Sequence, residues 1–298
     1  MSEFSCEHAP VSAPQNFSRA FAIGITLNVA YVCAQVLFGI FGHSLALLAD
    51  AGHNLGDVLG LLLAWGASHL VRRPSTPRRT YGWRRTSIMA ALFNAIFLLV
   101  IVGGITWEAL RRFIHQENVD ANIIIGVAAV GIVINGITAW MFMSGRKSDL
   151  NIRGAFTHMA ADAAVSGGVV LAGVAIHFSG WSWLDPATSI LINIVIVIGT
   201  WSLLRESFNL ATDAVPENVD LVAVKNYFAE LPSVIAVHDL HIWAMSTTEI
   251  ALTAHLVMPD QNGGDIFLRE VCEHLHHKFG IEHATIQIEQ NAEACSLA

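Results

Sequence analysis

Charge is scarce in this sequence. Only 13% of its 298 residues are Asp, Glu, Lys or Arg, against 54% hydrophobic residues, and a mean hydropathy of +0.53 lies well to the apolar side of an ordinary soluble domain. Basic residues are the scarcer sign: 16 Lys and Arg stand against 24 Asp and Glu, a formal net charge of −8. No stretch offers the extended basic face that a nucleic-acid backbone requires, so nucleic acid is excluded as a partner. Cysteine is sparse too. Cys6, Cys33, Cys272 and Cys295 are scattered without a Cys-x-x-Cys pair, so neither a disulfide framework nor a zinc ribbon is indicated, and a reducing compartment suits the soluble part. Residues 1–16 are polar, with no basic stretch and no small-residue cleavage site. We read no removable signal peptide there, and the first apolar block belongs to the mature chain.

What is abundant is long apolar sequence. A bilayer core needs about 20 apolar helical residues, and six blocks qualify, at roughly 17–41, 44–71, 84–110, 121–144, 154–178 and 186–208. Lys and Arg then orient them. The link between spans two and three carries Arg72, Arg73, Arg78, Arg79, Arg84 and Arg85, and the link between four and five carries Arg146, Lys147 and Arg153. The links after spans one and five carry none, and only Arg111 and Arg112 dissent. Both termini are therefore expected in the cytoplasm. Beyond residue 208 the composition becomes that of a soluble domain. Glu217–Leu231 reads as an amphipathic helix, Val234–Trp243 and Ile250–Met258 as strands, Asp265–Phe279 as a helix closed by Gly280, and His283–Glu289 as a third strand. The expected fold class is an all-α six-helix transmembrane domain followed by an α+β domain of αββαβ order, its sheet covered by helices on one face.

Ionisable side chains inside a span are costly, so each one points to function until a partner explains it. Span two holds Asp50, His53 and Asp57, three and four positions apart and so on one helix face. Span five repeats the device with His158 and Asp162, again four apart. With span two starting near Ser44, His53 and Asp57 lie roughly 14 to 20 Å along it, near the middle of a core about 30 Å thick. If the two helices touch, two imidazoles and two carboxylates form a tetrahedral cage of the kind zinc accepts. Charge closes as well, since a divalent cation and two carboxylates sum to zero, the tolerable state in low dielectric. Without metal, the carboxylates face desolvation and mutual repulsion, so protons take its place. Metal and protons competing for one site is the physical core of an antiporter.

Other polar residues have plainer readings. His69 and His177 sit near span ends, and Asn28, Gln35, Asn94, Asn135 and Asn193 serve interhelical hydrogen bonding. Asp50 carries two readings: it assists proton passage, or it accepts a hydrogen bond that orients His53.

The residues His-Asn-Leu-Gly-Asp in span two, Thr-Tyr-Gly-Trp-Arg-Arg at 80–85, His-Met-Ala-Ala-Asp in span five and Val-His-Asp-Leu-His-Ile-Trp at 237–243 together resemble the cation diffusion facilitators. The likeness is to the bacterial zinc, cobalt and cadmium efflux type and the vesicular zinc transporters. The resemblance covers nearly the whole chain. It implies a Y-shaped homodimer, metal and proton antiport through each protomer, and a metallochaperone-like cytoplasmic domain that helps the protomers dimerise. The parts would then be a tail at 1–16, a transport domain at 17–208 and a cytoplasmic regulatory and dimerisation domain at 209–298. His53, Asp57, His158 and Asp162 correspond to the transport site, and the His, Asp, His, Asp set is similar to that of zinc-selective members. Imidazole also suits Zn2+ and Co2+ better than manganese, with Cd2+ a further candidate. His238, His255, His283 and Glu289 resemble a cytoplasmic zinc site, and Cys295, with Cys6 and His8, would complete a site across the dimer. His274, His276 and His277 read as an exposed helix face. Two family features are missing. Pro74–Arg85 offers no Asp or His for an extra metal site, and Ser144–Gly154 contains no histidine for metal capture. The compact loops point to a bacterial inner membrane.

Two other classes compete. An intramembrane metalloenzyme needs an open coordination position and a general base, but four protein ligands leave no vacancy and no His-Glu-x-x-His occurs. A metal sensor would explain the histidines after residue 230 but not the paired His and Asp in spans two and five. A permanently open channel would show no proton dependence.

Overall fold

The computed structural model describes residues 17–71, 73–143, 150–259 and 264–291. Six long helices come first: α1 (Phe17–Phe41), α2 (Leu45–Val71), α3 (Thr86–Ile114), α4 (Ala121–Phe142), α5 (Leu150–Ser179) and α6 (Leu184–Ala211). A smaller set follows: α7 (Leu221–Ala229), β1 (Ala236–Ala244), β2 (Ile250–Val257), α8 (Asp265–Phe279) and β3 (His283–Glu289). By length and composition α3, Ala121–Met141 of α4, Phe156–Ser179 of α5 and α6 can cross a membrane, and Thr26–Phe41 of α1 is a shorter apolar stretch. The polar exception is α2, which carries Asp50, His53 and Asp57 within its 27 residues. Large apolar side chains such as Val100, Trp107, Leu171, Ile198 and Trp201 point outward and are exposed. In water that would be a liability, but beside lipid tails it is the ordinary state of a spanning helix.

By their contacts the described residues fall into two compact units, one running to Val58 and resuming over Leu98–Ile198, the other comprising Leu59–Phe97 and the residues from Gly199 onward. The first is built around Ala46, Ala49, Val102, Ala128, Val169 and Ile192. Small residues let its helices approach closely. A Cβ added at Gly131 would collide with Tyr31 Oη, and one at Gly56 with a Leu98 methyl. The start of α2 is closed from another helix. Asp185 on α6 is fully buried and accepts from Ser44 Oγ at 2.5 Å, Leu45 N at 2.7 Å and Ala46 N at 3.3 Å. Those amide groups would otherwise be among the unsatisfied donors of a helix N-terminus.

In the second unit the sheet has the order β1-β2-β3, with β1 antiparallel and β3 parallel to β2. Along β2, Leu252, Ala254 and Leu256 pack with Val224 and Phe228 of α7 and Val271 and Leu275 of α8. The period of two therefore turns Thr253 and His255 to the opposite face. The helix α7 starts at Leu221, four residues later than the expected Glu217. Asp220 accepts from Val222 N and Ala223 N at 2.9 and 3.1 Å and so caps α7 at its first turn. Gly280, at φ 66°, adopts the left-handed conformation that ends α8.

Candidate metal centres

In α2 the spacing of His53 and Asp57 puts both on one face, and α5 presents His158 and Asp162 to it. Nε2 of His53 lies 3.2 Å from Asp162 Oδ1 and 3.7 Å from Asp57 Oδ2. Nε2 of His158 lies 3.2 Å from Asp57 Oδ2 and 3.7 Å from Asp162 Oδ2. Each imidazole thus touches both carboxylates. The rings stand 6.0 Å apart and nearly perpendicular, at 71°. One donor atom each from His53, Asp57 and Asp162 falls within 4.8 Å of the others, with His158 closing the fourth side. Oδ2 of Asp57 and Oδ2 of Asp162 are buried without a hydrogen-bond partner. Two orphaned carboxylate oxygens turned toward two imidazoles are a donor set for a cation, and their N2O2 chemistry suits zinc.

Asp50 is fully buried on the same helix. It accepts from Gln35 Nε2 at 2.5 Å and Ser166 Oγ at 3.4 Å, and Gln35 Oε1 in turn accepts from Asn54 Nδ2 at 3.1 Å. The carboxylate receives both bonds at Oδ2, while its Oδ1 is buried without a hydrogen-bond partner. It joins α1, α2 and α5 beside the cage. Gln35 reads from sequence as a plain interhelical hydrogen-bonding residue; its place in a chain that includes the neighbour of His53 depends on a contact that sequence does not display.

The second cluster lies on the face of the sheet turned away from α7 and α8. His238 and His255 are register partners across β1 and β2, and Glu289 pairs with Val257 two residues further along β2. Nε2 of His238 is 3.0 Å from Glu289 Oε2, and Nδ1 of His255 is 2.8 Å from Glu289 Oε1. The two rings are 5.1 Å apart, and Glu289 is buried. One donor atom from each of the three falls within 4.8 Å of the others.

His283 does not join this cluster. It pairs with Ala251, six positions from Glu289 and so roughly 20 Å away along the strand, and it meets the Tyr81 ring edge-on at 5.8 Å. Asp239 stands in its place beside the cluster, a residue that sequence reasoning missed. The register of β1 breaks between His238 and His241 and Asp239 has φ 49°, which aims its carboxylate at His255 Nε2, 3.5 Å away. Its only sequence signal is its position directly after His238. His241 contacts the same carboxylate at 2.8 Å, and this bond holds the Asp239 carboxyl below the usual carboxylate range.

Of the histidines expected on an exposed face, His276 and His277 are exposed. His274 is half-buried and stacks on Tyr227 at 4.2 Å and 8°, a correction that follows from its position one turn before Lys278 on the side of α8 facing α7. Cys6, His8 and Cys295 lie outside the described residues, as does the 144–149 segment.

An apolar helical domain with a buried imidazole and carboxylate cage, joined to a small α+β domain with a second such cluster, has the build of a membrane metal transporter. The chain belongs to the cation efflux family: residues 21–210 match its transmembrane domain and residues 216–291 match the cation efflux protein cytoplasmic domain. It is accordingly an integral membrane transporter and not an enzyme. Full-length relatives agree. The metal cation efflux system protein CzcD of Cupriavidus metallidurans is 36% identical over 277 residues, covering 93% of this chain and 88% of the relative. A cadmium, cobalt and zinc/H(+)-K(+) antiporter of Bacillus subtilis is 34% identical over 92% of this chain and 89% of its own length. The zinc transporter ZitB of Escherichia coli is 35% identical over 90% and 86%. A solved structure described as the metal-bound C-terminal domain of the CzcD transporter is 39% identical over 24% of this chain and 99% of its own, with a TM-score of 0.23.

Proposed function

We propose that this protein exports divalent metal ions from the cytoplasm in exchange for protons, with Zn2+ the principal cargo and Co2+ and Cd2+ the alternatives. The observation that carries the reading is the cage of His53, Asp57, His158 and Asp162, whose two buried carboxylate oxygens lack hydrogen-bond partners. A divalent cation there brings the site to neutrality, and protons bound in its stead do the same. Either cargo therefore permits the site to turn across the membrane, whereas the bare site is penalised, which couples the two flows. The named activities of the relatives, metal cation efflux, zinc transport and cadmium, cobalt and zinc/H(+)-K(+) antiport, support this cargo and this coupling.

The remaining assignments follow from it. Residues 17–208 form the transport domain, and residues 209–298 a cytoplasmic domain that binds regulatory metal through His238, His255 and Glu289 and pairs two protomers as a homodimer. Arginine in the link between spans two and three sets both termini in the cytoplasm, and the membrane is a bacterial inner membrane. Asp50, held by Gln35 and Ser166, serves proton passage rather than ligation.

Zinc uptake into proteoliposomes under an imposed pH gradient tests the reading. Uptake is expected to follow the gradient in the native chain and to vanish in Asp57→Ala and in His158→Ala. Unchanged uptake in both variants would sink the assignment of the cage. Zinc binding without movement in the native protein would make the molecule a sensor.

A further inference from the structure

The link between α2 and α3 carries more positive charge than its acidic neighbours neutralise. Arg84 pairs with Glu249 at 3.4 Å and Arg85 with Asp213, but no acidic partner stands beside Arg78 or Arg79 among the described residues. Both arginines are exposed. Thr76 and Arg79 exchange backbone hydrogen bonds at 3.0 and 2.9 Å, and Thr76 Oγ1 accepts from Arg79 N at 3.2 Å. This fixes a tight turn with Pro77 and Arg78 at its tip. The Arg79 guanidinium lies over the Trp83 ring, 3.6 Å from its centre. Stacking occupies the flat face of the guanidinium and leaves its N–H fork free at the edge, the geometry that grips a phosphate oxygen pair. A groove of about 460 Å³ runs beside this turn, with Arg78, Arg79, Tyr81, Trp83, Trp243 and Met245 in its wall.

We infer that this groove binds the phosphate headgroup of an anionic phospholipid. Position selects the lipid over other phosphates: the turn joins two helices of the transmembrane domain, so the arginines stand at the membrane face. The exposed Tyr81 in the link and Met89 in the first turn of α3 offer apolar surface next to the fork, as an interfacial site requires. Because Trp243 and Met245 come from β1 and the residue following it, a headgroup held here touches the membrane link and the sheet that carries His238 together. The site does not depend on which metal is carried or on proton coupling.

The test uses full-length protein, delipidated in detergent, equilibrated with equal amounts of phosphatidylglycerol and phosphatidylcholine, and assayed for retained lipid by native mass spectrometry. The native chain should retain phosphatidylglycerol preferentially. Each arginine beside an anionic headgroup is worth about a factor of five, so Arg78→Gln with Arg79→Gln should reduce that preference roughly ten- to thirtyfold. Arg111→Gln, at the other end of α3, should leave it unchanged. Arg78→Gln alone keeps the Arg79–Trp83 stack and should show a roughly fivefold loss, so the site is still tested if the double variant fails to fold. Equal preference in native and variant chains would overturn the site, and displacement of phosphatidylglycerol by millimolar inorganic phosphate would overturn its assignment to lipid.

Discussion

Replacing Asp162 by Asn keeps the shape of the side chain and removes one charge from the cage. With a divalent cation and two carboxylates the site sums to zero; in the Asn variant it carries +1 in a low-dielectric interior. Asp162 has 2% of its surface exposed, so solvent does little to screen the imbalance. Breaking a buried charge set in this way costs about 3–5 kcal/mol, which at about 1.4 kcal/mol per decade is roughly two to three and a half orders of magnitude in zinc affinity. Asp57, with a side chain 29% exposed, should lose less when replaced by Asn, because water compensates part of the lost charge. Competition with a chromophoric zinc chelator in detergent measures both variants. The cluster of His238, His255 and Glu289 is untouched by either change and provides an internal reference. If Asp162→Asn kept the native affinity at both sites, the cage would not be the binding site; if Asp57→Asn lost more than Asp162→Asn, burial would not be what sets the strength.

Three further outcomes are expected. Gly131→Ala brings a methyl group against Tyr31 Oη and should destabilise the transmembrane unit by about 1–3 kcal/mol, whereas Gly126→Ala on the same helix meets nothing within 4 Å; thermal melts in detergent should separate the two, and equal melting temperatures would refute the packing argument. Asp185→Ala strips the cap from α2 and should cost about 0.5–2 kcal/mol, with Asp185→Asn, which retains one acceptor oxygen, falling between it and the native chain in the same melts. In the second unit the bond from His241 depresses the Asp239 carboxyl, so the stabilisation it brings is fully present above the ordinary carboxylate value of about 3.9 and is lost as pH falls through the lower folded value. Carboxyl carbon NMR should find Asp239 titrating low in the native chain and near the ordinary value in His241→Ala; an ordinary value in both would remove the bond from the account.

The elements and the two His-x-x-x-Asp pairs are legible in sequence because each rests on a short-range rule. Spans follow from apolar length, and a His and an Asp four apart share a helix face whatever surrounds them. What sequence hides is partnership over distance. Asp185 is 141 residues from Ser44, the hydroxyl it accepts from, and nothing near either residue announces the pair. His283 is misplaced because only the parallel register of β2 and β3 reveals that Glu289, and not His283, stands near His255. Asp239 escapes because a regular strand would turn it to the face opposite His238; the register break after His238 brings its carboxylate to His255 instead.

These distant partners explain what holds the cage together. Asp185 fixes the first turn of α2, two turns before His53, and the chain from Asn54 through Gln35 to Asp50 and Ser166 ties α2 to α1 and α5. Gly131 removes the side chain that would push Tyr31 away from α4 and Ser166. With α2 and α5 held in this way, the four candidate ligand side chains meet at 3.2 to 3.7 Å. Preorganisation of this kind spares the entropy of gathering ligands at the moment of binding. Side-chain exposure also rises in order from Asp162 at 2% through His53 at 24% and Asp57 at 29% to His158 at 41%. The cage is therefore most exposed at His158 and most enclosed at Asp162.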